Sequence, residues 1–141
     1  MTTKRETILR RIAAALSGTT GVGTRIYRSR VDSIERGGSP AVIIQPIRDV
    51  CVQITSLPKL DWTLTVRITV IERSVIPDQG ADDTIESLHS KVMSDLTLGG
   101  IAHDVVPVRT EFDFLEADQP AAVIGCEYEI KYRTDVNDLS Q

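Results

Sequence analysis

In the segment WTLTVRITVI, residues 62–70 alternate in polarity without a break. Trp62, Leu64, Val66, Ile68 and Val70 fall on one side, and Thr63, Thr65, Arg67 and Thr69 on the other. A period of two cannot serve a helix, whose 3.6-residue turn would spread these apolar residues around its whole circumference. The segment is therefore a half-buried β-strand, with one face packed and the other turned to water or a partner. A sheet with one wet face is characteristically antiparallel, so this stretch alone points away from an all-helical or doubly wound fold.

The flanking segments extend that sheet. The run PAVIIQ, residues 40–45, is apolar throughout and predicts a strand buried on both faces, with Pro40 at its start. DVCVQITS alternates, with Val50, Val52 and Ile54 on one face, and Thr24–Arg28 predicts a short strand. VVPVRTEFDF places Val106, Val108, Thr110, Phe112 and Phe114 on one side. Pro107 cannot donate to a ladder, which makes this an edge strand or places Pro107 at the strand's start. AAVIGCEYEIKYRT turns Ala122, Ile124, Cys126, Tyr128, Ile130 and Tyr132 inward and Glu127, Glu129, Lys131 and Arg133 outward.

Two segments carry helical period. In TTKRETILRRIAAALSG, Thr3 and Glu6 have capping-box spacing, Ile8, Leu9, Ile12 and Leu16 form a stripe, and Gly18 suits a left-handed stop. In PDQGADDTIESLHSKVMSDLTLGG, Asp82 or Asp83 is placed to cap the helix, Ile85, Leu88, Val92 and Leu96 form the stripe, and Gly99-Gly100 ends it. The predicted order is α-β-β-β-β-α-β-β. It is an α+β fold, a mostly antiparallel β-sheet with two α-helices packed on one face. The 141 residues form a single domain over 1–134, with 135–141 as a loose C-terminal tail.

Charge bears on function. The chain carries −4 overall, which argues against a free-standing nucleic-acid module. Residues 1–48 hold nine Lys/Arg against three acids, net +6; residues 111–141 hold eight acids against two bases, net −6. A basic front and an acidic back suit head-to-tail contact between copies. The basic segment RIYRSRVDSIERGGSP concentrates Arg25, Arg28, Arg30 and Arg36 ahead of Gly37-Gly38. Arginine's fork pairs carboxylates, and we expect a protein-contact arm here ahead of a phosphate grip. The N-terminal stretch lacks the apolar core of a secretory signal, and no apolar run approaches the ~20 residues of a membrane span. A reducing cytosolic site of synthesis is expected, with Cys51 and Cys126 as free thiols.

Catalytic motifs do not emerge. His89, His103, Cys51 and Cys126 lack metal-ligand spacing, and there is no nucleophile elbow. SGTTGVGT follows a helix and brings no lysine, so it reads as a helix stop and turn rather than a phosphate loop. The expectation is an interaction protein, not an enzyme, with no cofactor.

The ordered set RETILRRIAAALSG, VGTRIYRSR, SPAVIIQP, WTLTVRITVIER, ADDTIESLHSKVMSDLTLGG and GCEYEIKYRTD resembles the tail terminator (tail completion) proteins of tailed bacteriophages, of the minor tail protein U type. Ser39 stands where many members have a hydrophobic residue. The resemblance implies a structural virion protein. It would form a ring, commonly a hexamer, that caps the head-proximal end of the tail tube and ends tube polymerisation. Its partners would be itself, the tail tube protein and the head–tail connector. DNA would pass through the lumen without sequence-specific binding, and no membrane would be involved. Interface candidates are Arg25, Arg28, Arg30, Arg36, Thr63, Thr65, Arg67, Glu127, Glu129, Lys131 and Arg133. A neck or head–tail connector subunit is the alternative, followed by a small ligand-binding α+β domain.

Overall fold

A computed structural model of the chain describes residues 2–29, 40–53, 56–116 and 120–141. Helix α1 (Lys4–Ala15) opens on Thr3, whose hydroxyl accepts the Glu6 N–H at 3.1 Å. The other half of the expected box is replaced, because the Glu6 carboxylate is held by Arg28 and Arg10 instead. Gly18, at φ +84°, takes the left-handed conformation after the helix that a side chain would resist.

Strands β1 (Ile26–Arg28), β2 (Ala41–Val52), β3 (Lys59–Arg73), β4 (Asp104–Leu115) and β5 (Ala121–Asp135) form one sheet in the order β1-β2-β3-β5-β4. Every pairing is antiparallel except β1 with β2, which is parallel. The α+β class expected from the sequence is the class observed. The segments 40–45 and 49–52, read separately, run as one strand across a register shift between Pro46 and Arg48. A second shift lies between Pro107 and Arg109. Both prolines belong to one transverse row, Pro46–Val66–Tyr128–Pro107. A residue without an N–H cannot complete the ladder, and a bulge absorbs the interruption.

These bulges set which face each flanking segment presents, and the second corrects a sequence expectation. Past the first, Asp49 turns inward opposite Leu64, and Val50 and Val52 stand half exposed on the helix-free face. Past the second, Thr110, Phe112 and Phe114 lie on the helix side opposite Cys126, Ile124 and Ala122, whereas Val106, opposite Glu129, lies on the other face. Ile54 lies outside the described residues.

Helix α2 (Pro77–Val92) begins earlier than Asp82 or Asp83. Pro77 sits in its first turn, where a fixed φ and a missing N–H cost nothing, and Ile76 occupies the cap position without a side-chain hydrogen bond. Asp82 and Asp83 are exposed in the second turn and cap nothing. The buried stripe is Pro77, Ala81, Thr84, Leu88 and Val92; Leu96 lies beyond the helix and is exposed. Both helices pack on one face, α2 over β3 and β5, and α1 over β2. Between sheet and helices lies an aliphatic core that includes Ile8, Ile12, Leu64, Ile68, Leu88, Ile124 and Ile130.

Residues 135–141, expected as a loose tail, make a turn tied back to the domain. The Val136 N–H donates to the Pro58 carbonyl, and the Leu139 carbonyl accepts the Lys4 N–H. Among the described residues no helix is long and apolar enough to cross a membrane.

The position of the α2 stripe is directly testable. Leu88→Ala removes a fully buried side chain and should cost about 3 kcal/mol in urea unfolding, whereas Leu96→Ala should change stability by less than about 0.5 kcal/mol.

Candidate functional site

The face of the sheet opposite the helices carries the side chains with the most organised electrostatics. Cross-strand register places Thr63, Thr65, Arg67, Glu127, Glu129, Lys131 and Arg133 together on it, as the alternation implies. Thr65 and Thr69 are nevertheless buried, because they occupy the central strand and are covered by their neighbours' longer side chains.

One row crosses four strands: Gln45 of β2, Arg67 of β3, Glu127 of β5 and Arg109 of β4 stand directly opposite one another. The Glu127 side chain is only 1% exposed, although no described helix covers it. Two guanidinium groups shield it. Arg67 donates from Nε and a terminal nitrogen to Oε2 at 3.2 and 3.0 Å, and Arg109 reaches Oε1 at 3.2 Å. Burial pushes the Glu127 carboxyl up, and the two arginines outweigh it, holding the group below the ordinary carboxylate range. Arg109 also pairs with Glu111 at 3.1 Å. Gly125 makes room for the clamp, since a Cβ there would stand 3.1 Å from Arg67 Cδ. Beside it the face dips into a hollow of about 520 Å³, flanked by Gln45, Thr69, Glu111 and Asp113.

Further along, Arg133 grips Asp61 at 2.8 Å and Lys59 pairs with Asp135, each across β3–β5. Three arginines of this face, Arg67, Arg109 and Arg133, are thus held against carboxylates of the same chain, while Arg48 and Lys131 stand exposed beside them. Sequence reading found Arg67, Glu127 and Arg133 but missed Gln45, Asp61 and Arg109. Alternation placed Arg109 outward, whereas Gln45 ended a run read as buried on both faces; which residues oppose one another depends on register and on the β4 bulge.

The two described arginines of the arginine-rich segment make contacts within the chain. Arg28 clamps both oxygens of Glu6 at 3.1 and 3.2 Å, fastening β1 to α1. Arg25 donates to the carbonyls of Pro40 at 3.0 Å and Gly21 at 2.8 Å. These two arginines hold the chain's own loops and helix. Arg30 and Arg36 lie outside the described residues. The hydrogen bond from Arg28 holds Glu6 below the usual carboxylate range against a small opposing effect of burial, and Arg10 adds to it.

A second polar cluster pins the start of α1. Arg5 Nε donates to Asp49 Oδ2 at 2.8 Å, the Tyr132 hydroxyl donates to the same oxygen, and Arg5 lies 5.9 Å over the Trp62 ring. On α2, His89 Nδ1 is 2.9 Å from the Tyr128 hydroxyl, and burial raises the Cys126 thiol, which makes it a poor nucleophile. His103 follows the turn before β4 and donates its backbone N–H to Lys131. Among the described residues the only cluster with metal-ligand spacing is the exposed group Asp82, Asp83 and Glu86.

Glu127→Gln removes the charge that both guanidinium groups enclose and should destabilise the chain by about 2 kcal/mol in urea unfolding. Glu6 and Glu127 both have folded pKa values depressed below the unfolded one. Their stabilisation is therefore complete above the unfolded value of about 4.3 and is lost as pH falls through the folded values. Stability measured from pH 6 to pH 2 should drop below about pH 4, with a shallower drop in Glu127→Gln. No family model matches the chain, and no curated protein matches it.

Proposed function

We propose that the chain is a tail terminator, a structural subunit that forms a ring, commonly of six copies in the family it resembles, at the head-proximal end of a phage tail tube. In this reading it is made in the bacterial host cytoplasm and takes its place in the virion tail. It meets the tube protein on one side and the head connector on the other, and ends tube growth by occupying the site of the next tube subunit. It performs no catalysis and needs no cofactor.

The observation that carries this reading is the helix-free face of the sheet. Among the described residues no helix lies on this face; it buries a small apolar cluster, Ala41 and Ile43 with Tyr27 and Ile71, and beyond that cluster, from Gln45 to Arg133, it presents a polar surface suited to a neighbour or to the wall of a channel. The row Arg67–Glu127–Arg109 and the pair Arg133–Asp61 fix their cations against carboxylates within the chain. Such cations have little left to offer a DNA backbone, whose binding depends on positive charge free to displace counterions. Arginines held in this way grip passing DNA less than free cations would. The resemblance, spread in order along nearly the whole chain, supplies the rest.

The test is to polymerise tail tube protein with and without the purified chain and to measure tube length and native mass. Shortened, capped tubes bearing a ring of this chain are the expected result. A chain that leaves tube length unchanged and binds neck or portal-side protein instead would make it a head–tail connector subunit.

A further inference from the structure

The sheet ends in two edges of opposite character. At one edge lies β1, next to Arg25, with Arg28 on it and Arg10 of α1 nearby through the shared Glu6. At the other lies β4, where Glu111, Asp113 and the following Glu116 outnumber Arg109. No described strand pairs with the outer side of either.

The β4 edge is only half protected. Natural sheets blunt open edges with proline, bulges and charge. Pro107 and its bulge do this for the first part of β4. From Arg109 onward the strand is regular and bare, and it exposes Phe112 and Phe114 at 56% each and Leu115 at 50%. A long edge with exposed aromatics invites a partner strand.

The β1 edge is built to supply one. The Arg25 carbonyl and the Ser29 N–H are spent on β2. In a parallel pair, residues alternate in the side to which both backbone groups point, which sends the N–H and C=O of Arg28 and the C=O of Ile26 outward. Strand polarity also agrees. β1 runs parallel to β2, β2 antiparallel to β3, β3 antiparallel to β5 and β5 antiparallel to β4. β1 therefore runs opposite to β4. Two copies in the same orientation would meet as an antiparallel pair, with their helices on a common side.

The geometry points to a head-to-tail contact in which β4 of one copy, over Arg109–Leu115, receives the outer edge of β1 of a second copy, the acidic edge against the basic one. This deepens the ring reading and rests on it only for closure of the chain of contacts. β1 spans three residues, so one such contact is weak and a closed set is held cooperatively. A two-fold pairing of β4 with β4 is the competing geometry, and it brings acidic edges together.

The test uses the full chain with Cys51→Ser, since Cys126 is buried. Arg28→Cys and Phe112→Cys variants are made singly and together and treated at high protein concentration with a short bis-maleimide. The expected result is a covalent dimer when the two single variants are mixed, little product from Phe112→Cys alone, and a ladder beyond the dimer from the double variant. Efficient dimerisation of Phe112→Cys alone, or no product from the mixture, overturns the contact. Hydrogen exchange on the unaltered chain decides independently of folding defects. Amides of residues 109–115 should gain protection at least tenfold as concentration rises, and unchanged protection overturns the contact. The ladder needs no tail tube. A ladder from a chain that never alters tube length would refute the terminator reading alone, and capped tubes without the ladder would refute the contact alone.

Discussion

Fifteen residues of β3 stand opposite fifteen of β5 in one unbroken register, Lys59 against Asp135 through Arg73 against Ala121. The rest of the molecule is arranged around this pair. It lies at the centre of the sheet, so both strands bury one face under the helices, and the apolar halves of their alternation meet there. A one-residue slip would carry every one of those side chains to the wrong face. The length of the pair and the bulk of Trp62, Leu64, Ile68, Ile124, Ile130 and Tyr132 make that slip prohibitively costly.

The flanking strands have less freedom than their own sequences suggest. Each meets the central pair with a proline in the same transverse row, and each inserts one extra residue just after it. The bulge in β4 places Arg109 opposite Glu127, and the continuous register of β3 and β5 places Arg67 there from the other side. A buried carboxylate between two guanidinium groups is stable only while all three are held. The clamp on the open face therefore depends on both the central register and the edge bulge. Gly125 completes it by leaving space for the Arg67 side chain.

Much of the architecture was legible along the chain. The alternation of 62–70 and 121–134, the Thr3 cap, the Gly18 stop and the edge character of the Pro107 strand all correspond to observed features. The misreadings have specific causes. Val106 parted from Thr110, Phe112 and Phe114 because a bulge resets parity without leaving a periodic trace. The start of α2 was placed at an aspartate because a cap residue is a common signal, whereas Pro77 starts the helix by its fixed φ. The intrachain partners of Arg25 and Arg28 were not legible, because nearness in sequence shows a cluster and says nothing of what lies across the fold. Glu6, on the first turn of α1, is one such partner.

By itself the sequence determined the periodicities, and with them the elements and the faces they bury, because hydrophobic burial reads each strand or helix locally at period 2.0 or 3.6. It also set the uneven spread of charge. Tertiary structure alone decided which charges meet. Salt bridges such as Arg67–Glu127 and Arg28–Glu6 join residues 60 and 22 positions apart, and their existence rests on register, bulges and strand order. Those are properties of pairing between segments, and no single segment encodes them.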